Sequence, residues 1–212
     1  MADSNDITVA QLRERLAGTR LPEDPTDVVM PPGSDAWPAS TRERLTESLT
    51  PAGVLIPLIE REQAGLTLLL TQRSAELKHH AGQISFPGGR MEAGDTDIAA
   101  TALRETHEEV GISQNSVAVI GYLEPMPTIT GYAVTPVVGV VDPNFEIVVD
   151  TTEVEHAFEV PLGYLMERKN RQLCERDVYG RTVPMVEFHY EGQRIWGATA
   201  FIILQLVKLV KN

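Results

Sequence analysis

Apolar positions recur along this chain with two different periods. Near the start, Val9, Leu12 and Leu16 are three and four residues apart, which predicts a short amphipathic helix over residues 7–17. Pro22, Pro25, Pro31, Pro32 and Pro38 then break any regular period, so residues 21–40 read as an irregular wrap or linker. A second short helix is predicted over residues 40–48. From Gly53 onward the apolar runs are strand-like. Residues 54–59 and 66–71 flank the polar, glycine-containing segment Glu-Arg-Glu-Gln-Ala-Gly and predict a hairpin. Further strands are expected at residues 117–123, 134–141, 146–149 and 156–160, with another hairpin formed by 179–184 and 186–190. Residues 198–210 are strongly apolar but interrupted by Gln205 and Lys208. They are too short to span a bilayer and read as a buried closing helix. No internal repeat is evident. One strong mid-chain helix among several strands, closed by an apolar helix, predicts a mixed α/β (α+β) domain.

That mid-chain helix carries the chemistry. It follows Phe86-Pro87-Gly88-Gly89, has Asp95 or Asp97 to cap its start, and has Gly111 just past its end. Ala99, Leu103, Thr106 and Val110 form the stripe expected to face the sheet. Glu105, Glu108 and Glu109 occupy a neighbouring arc of roughly 100° at 3.6 residues per turn. Carboxylates three and four residues apart repel and destabilise a bare helix. Oxygen-rich clusters of this kind suit Mg²⁺ or Mn²⁺. Arg104, four residues before Glu108, is placed to pair with it. A generic acidic run is more often a solvated helix face. The glycine pair changes that balance, because its amides can approach a phosphate closely.

Composition narrows the partners. The chain has 212 residues, 42% of them hydrophobic and 23% charged, enough for one well-buried domain with extensions. A formal net charge of −12 argues against nucleic acid or an anionic membrane as partner. It leaves room for a small phosphorylated substrate, since a metal and a few cations can reverse the potential within a cleft. The single cysteine, Cys174, excludes an intrachain disulfide, and the polar start lacks the features of a signal peptide; both fit a cytoplasmic protein. His79, His80 and His107 lack the spacing of a zinc site. No histidine adjoins Cys174, so a structural thiol is expected there. Tyr122, Tyr132, Phe158 and Trp196 are candidates for stacking on a base, with core packing the commoner role.

The stretch from Gly88 to Ile112 resembles the Nudix hydrolase signature, G-x5-E-x7-R-E-U-x-E-E-x-G-U, where U is a bulky apolar residue. Its second half matches as Arg104-Glu105-Thr106-His107-Glu108-Glu109-Val110-Gly111-Ile112. Thr106 replaces an apolar residue. The first half is one residue longer than the pattern, which makes Asp95 the nearest equivalent of its first glutamate. Upstream, Leu70-Thr71-Gln72-Arg73-Ser74, Lys78, Gly82 and Phe86-Pro87-Gly88-Gly89 resemble the motif of the coenzyme A diphosphatase branch, with Lys78 in place of an arginine. Residues 195–200 are similar to the start of that branch's last helix.

The resemblance implies a Nudix-like α/β/α sandwich with a mixed central sheet. It assigns residues 51–212 to the Nudix domain and leaves residues 1–50 as a helical and irregular N-terminal extension. It implies Mg²⁺- or Mn²⁺-dependent hydrolysis of the diphosphate of CoA or acyl-CoA, giving adenosine 3′,5′-bisphosphate and 4′-phosphopantetheine or its acylated form. Glu105, Glu108 and Glu109 would be metal ligands and catalytic groups, with Arg104 beside them. Arg73, Lys78, Gly88, Gly89 and Arg90 would bind substrate. The general base would come from the glutamate cluster or from Glu153 or Glu155 in a later loop. A homodimer is common among such relatives. The competing readings are a broader hydrolase of ADP-ribose, NADH or dinucleotide polyphosphates, and a non-catalytic nucleotide-sensing domain.

Overall fold

The computed structural model describes residues 7–31, 33–77 and 81–211. In chain order it runs α1 (Val9–Leu16), α2 (Ala39–Leu45), β1 (Thr50–Arg61), β2 (Gly65–Arg73), β3 (Ile84–Ser85), β4 (Gly88–Arg90) and α3 (Ile98–Val110). There follow β5 (Val117–Tyr122), β6 (Met126–Pro127), β7 (Tyr132–Val141), β8 (Val154–Pro161), α4 (Leu162–Met166), β9 (Arg171–Val178), β10 (Arg181–Tyr190), β11 (Gln193–Ile195) and α5 (Gly197–Lys211).

The apolar runs in β1 and β2 show no polar alternation because both faces of these strands are covered. Period two divides them between two layers. Leu55 packs with Ala99 and Ala102 of α3, and Ile59 and Leu69 pack with Val110. Ile56, Leu58, Leu68 and Leu70 face the other way, into a cluster with Ile203, Leu206 and Val207 of α5. The main sheet is mixed. β1 pairs antiparallel with β2 from Leu58↔Leu68 to Arg61↔Gly65, and parallel with β7 from Thr50↔Tyr132 to Ile59↔Val141. Higher up, β1 leaves β2 and pairs with β4 at Ala52↔Arg90 to Val54↔Gly88, while β2 takes β3 at Thr71↔Ser85. The two central strands thus splay apart, and residues 84–90 fill the split.

Two expectations required revision. Residues 146–149 are not a strand. Their neighbourhood is an irregular loop whose amides cap the end of α3, with Val148 N–H donating to the Val110 carbonyl and Asp150 N–H to that of Glu109, both at 3.0 Å. A helix leaves its last carbonyls without intrahelical partners, and this loop supplies them. The predicted hairpin is also displaced. β10 runs unbroken through Pro184, and the turns lie at Tyr179-Gly180 and Glu191-Gly192, where all four residues have positive φ. Tight hairpins favour that mirror-image turn because its twist matches the strands. Pro184 is tolerated because β10 is flanked there only by β9; β11 begins to pair at Phe188. The helical and irregular N-terminal extension packs against the core. Leu12, Leu16, Trp37 and Leu45 are each at most 4% exposed and belong to the α5 cluster. Trp37 meets Phe201 edge-on at 5.9 Å between ring centroids, and its Nε1 donates to the Pro184 carbonyl at 3.2 Å. The closing helix is present as expected, and no helix among the described residues is long and apolar enough to cross a membrane.

Removing the Trp37 ring leaves a cavity between α5 and β10 and an unpaired carbonyl. Trp37→Ala should lower stability by about 3–5 kcal/mol in urea unfolding. A loss below about 1 kcal/mol would show that the N-terminal segment is a loose appendage.

Candidate active site

α3 is locked at both ends by its own sequence. The Asp97 side chain accepts from Ala100 N–H at 2.8 Å, and Gly111, at φ 74°, closes the far end in the left-handed conformation that disfavours a side chain. Thr106, the polar residue on an otherwise apolar stripe, is fully buried, and its hydroxyl donates to the Ala102 carbonyl at 2.6 Å. Satisfied in this way, it serves as a core residue. Leu103 is only half-buried, whereas Thr101 and Glu109 join the buried face.

Arg104 is the hub of the helix's outer surface. Its Nε and Nη2 grip the two oxygens of Asp95 at 2.9 and 3.0 Å, and Nη1 donates to Glu105 and Glu108 at 2.9 Å each. The Asp95 side chain is 6% exposed and also accepts from the Glu92 N–H and the Thr101 hydroxyl. The Arg104 guanidinium beside it, helped by these donors, holds the Asp95 carboxyl well below the usual carboxylate range. Asp95 therefore stands apart from the glutamates as the clamp on Arg104. The Thr101 hydroxyl in this clamp carries no recognisable sequence signal, since a threonine on a helix has many uses.

Glu105 and Glu109 point toward the glycine turn. A side chain added at Gly89 would overlap the Glu105 carboxylate at 2.4–2.6 Å, and one at Gly88 (φ 152°) would strike the backbone of Gly53 and Val54. Only glycines let the turn lie this close to the helix and the sheet. Glu109 is 3% exposed. Burial pushes its carboxyl up to about 8, with Glu105 and Glu153 adding to the rise and Arg73 and the Gly88 N–H opposing it. Burial likewise raises Glu105, despite its bond to Arg104. Glu109 Oε2 and Arg73 Nε are both buried without a hydrogen-bond partner among the described residues. An orphaned carboxylate oxygen deep in an acidic cluster is a fitting environment for a cation.

The structure sorts the remaining candidates. Glu153 immediately precedes β8 and acts electrostatically on both Glu105 and Glu109, held there by its carbonyl accepting from Ser74 N–H at 2.8 Å. Glu155 is turned to Gln72, whose Nε2 donates to it at 3.0 Å. Glu108 is more exposed and held by Arg104. As the side chains stand, no three acidic, histidine or cysteine groups among the described residues converge on a single point, since Arg104 draws Glu105 and Glu108 to itself. The Arg90 side chain is exposed and lies 3.9 Å from Glu92, while its carbonyl accepts from Arg104. Lys78, His79 and His80 lie outside the described residues. Cys174 sits on β9 beside Glu187, and burial pushes its thiol up, which is the setting of a structural thiol. Trp196 has the guanidiniums of Arg194 and Arg176 at 5.4 and 5.6 Å from its ring centre, and both of these also donate to the Glu187 carboxylate.

Comparison with known proteins identifies the family. Residues 49–178 match the model of the NUDIX domain. The chain is 44% identical over 155 residues to a protein of Escherichia fergusonii named as an uncharacterised Nudix hydrolase, NudL, covering 73% of this chain and 80% of that protein. A NudL of Photorhabdus laumondii is 40% identical over 169 residues, covering 80% and 89%. Among solved structures, a Caenorhabditis elegans Ap4A hydrolase complex is 19% identical with a TM-score of 0.46, over 52% of this chain and 80% of that one. The NUDIX domain of Shewanella oneidensis NrtR, solved with ADP ribose, is 16% identical with a TM-score of 0.48, over 78% and 88%. By its matched domain and its relatives, the chain belongs to the Nudix hydrolase family.

Proposed function

We propose that this protein hydrolyses the diphosphate of CoA or acyl-CoA, releasing adenosine 3′,5′-bisphosphate and 4′-phosphopantetheine or its acylated form. The observation that carries the reading is that Arg73 acts electrostatically on Glu109 beside the Gly88 N–H, with Arg73 Nε and Glu109 Oε2 both buried and lacking a hydrogen-bond partner among the described residues. Arg73 belongs to the segment Leu70-Thr71-Gln72-Arg73-Ser74, which resembles the CoA diphosphatase motif, so substrate recognition and the acidic cluster meet at one place.

Glu105, Glu108 and Glu109 would hold Mg²⁺ or Mn²⁺, which supplies charge neutralisation for the diphosphate and a more acidic bound water. The chain's own groups do the rest. Arg73, with an unengaged Nε, offers a planar fork to phosphate oxygens, and Lys78 adds charge from the same motif. Gly89 lets the turn lie directly against the Glu105 carboxylate, which keeps that carboxylate at the site. Glu153 faces the cluster and takes the proton as water attacks one phosphorus, forming a P–O bond while the bridging P–O bond breaks. Arg104 is a positioning residue, holding Glu105 and Glu108 against mutual repulsion.

Glu109→Gln and Glu108→Gln should abolish Mg²⁺-dependent turnover with the fold intact. Glu153→Gln should slow it by about 10²–10⁴-fold, the usual contribution of a general base, while Glu155→Gln stays within a few fold of wild type. Product analysis against CoA, acetyl-CoA, ADP-ribose and NADH decides the substrate; cleavage of ADP-ribose with CoA inert would overturn the CoA assignment. The raised Glu109 carboxyl also gives a signature in the metal-free protein. The folded state keeps this proton up to about pH 8, whereas the unfolded chain releases it near pH 4.3 (about the free glutamate value). Unfolding therefore releases a proton between those limits, and stability falls as pH rises through them. In EDTA the Tm should fall across that window, and Glu109→Gln should flatten the decline. An equal decline in wild type and variant would refute the assignment.

A further inference from the structure

The small sheet has the order β11-β10-β9, so β9 is its edge, and no strand pairs with its outer side among the described residues. Edge strands expose a row of unpaired amides and carbonyls, and folded proteins usually blunt them with a bulge, a proline or a covering element. The main-sheet edge strand β5 is protected in this way. Its pairing with β7 shifts between Val119 and Gly121, α1 lies over it, and Tyr122 N–H is taken by the Thr19 hydroxyl. Among the described residues β9 has no bulge, proline or covering element, and only its four charged side chains blunt it. It reads Arg-Gln-Leu-Cys-Glu-Arg-Asp-Val, without proline or glycine, and stays in unbroken register with β10 over all eight residues.

Its side chains are equally unusual for a free edge. Arg171, Leu173, Glu175 and Asp177 share one face. Leu173 is 85% exposed, the most exposed large apolar side chain among the described residues. Arg171 Nε is buried without a hydrogen-bond partner among the described residues, and the charge acting on that guanidinium is the like charge of Arg168. One face thus presents, in order, an uncompensated cation, an exposed leucine and two carboxylates.

We propose that β9 is a homodimer interface, in which the β9 strands of two copies pair antiparallel about a two-fold axis and join their three-stranded sheets into one. A two-fold interface must be self-complementary, and this strand is. Centred on Leu173, the pairing sets the two leucines opposite each other and Arg171 opposite Glu175 of the second copy. Centred on Cys174, it sets Arg171 opposite Asp177 of the second copy and leaves the leucines as diagonal neighbours. Both registers give Arg171 the counter-charge it lacks and cover Leu173, and opposed charges on neighbouring strands stabilise the pair. In either case the two Cys174 residues lie at or next to the axis.

Sedimentation velocity on the full chain tests this across a concentration series up to about 100 μM, the range in which modest interfaces assemble. The wild type should pass from monomer to dimer. Leu173→Lys, a change at a solvent-exposed position, should weaken dimerisation by at least about tenfold. Arg171→Glu should do the same, and Arg171→Glu combined with Glu175→Arg and Asp177→Arg should restore the dimer by reversing every pair. That rescue separates a lost interface from a damaged fold. A short bis-maleimide should cross-link the wild type through Cys174 and leave Cys174→Ser monomeric on a denaturing gel. A monomer at every concentration, or a dimer indifferent to Leu173→Lys, would overturn the proposal. Diphosphatase activity is read separately, so failure of the interface leaves the catalytic reading untouched.

Discussion

The bidentate grip of Arg104 on Asp95 is the constraint on which the site depends. Glu105, Glu108 and Glu109 crowd one arc of α3, with Glu153 approaching from just before β8. Left alone, such an arrangement would fray the helix or scatter the side chains. Arg104 answers two of the carboxylates directly and is itself immobilised from behind by Asp95, which Thr101 and the Glu92 amide fix in turn. The order of binding matters physically. Asp95 is nearly buried and its charge is strongly favoured, so it anchors the guanidinium, while the more exposed Glu105 and Glu108 can exchange that partner for another cation. Glu109 has no arginine bond, and its burial leaves it with the least favoured charge of the cluster.

Around this clamp the fold works by subtraction of side chains and by splaying. β1 and β2 pair only over their lower half, and the split above is filled by residues 84–90, whose two glycines lie against Val54 and the Glu105 carboxylate. The loop after β7 then docks its amides on the last carbonyls of α3 and returns into β8 at Glu153. One contact therefore caps the helix and delivers a fourth carboxylate to the cluster. The Arg73 backbone is tied to Gln83 and that of Ser74 to Glu153, so the segment that resembles a CoA motif is joined to the acidic helix through main-chain bonds.

Much of this was legible beforehand. Asp97 and Gly111 mark the ends of α3, Glu105, Glu108 and Glu109 share an arc, and the runs at 54–59 and 66–71 form strands of one hairpin. These are local consequences of period and capping, which act within a few residues. The failures were non-local. Residues 146–149 have strand-like composition, but their amides bond a helix end. Pro184 reads as a turn, but it lies where β10 lacks a second neighbour. How the N-terminal segment packs, with Trp37 against Phe201, likewise has no local signal.

The sequence by itself determined the acidic helix, its glycine entry and the family resemblance, because spacing along a helix or turn sets which side chains share a face. Tertiary structure decided which carboxylate does what. Asp95 became a clamp, Glu153 rather than Glu155 came to face the cluster, and Glu109 became the deeply buried carboxylate whose pKa is raised most. Asp95 is fixed by partners within nine residues, but the other two outcomes depend on burial and on groups brought in from other elements, Arg73 and Glu153 among them; electrostatics responds to distance in space rather than along the chain.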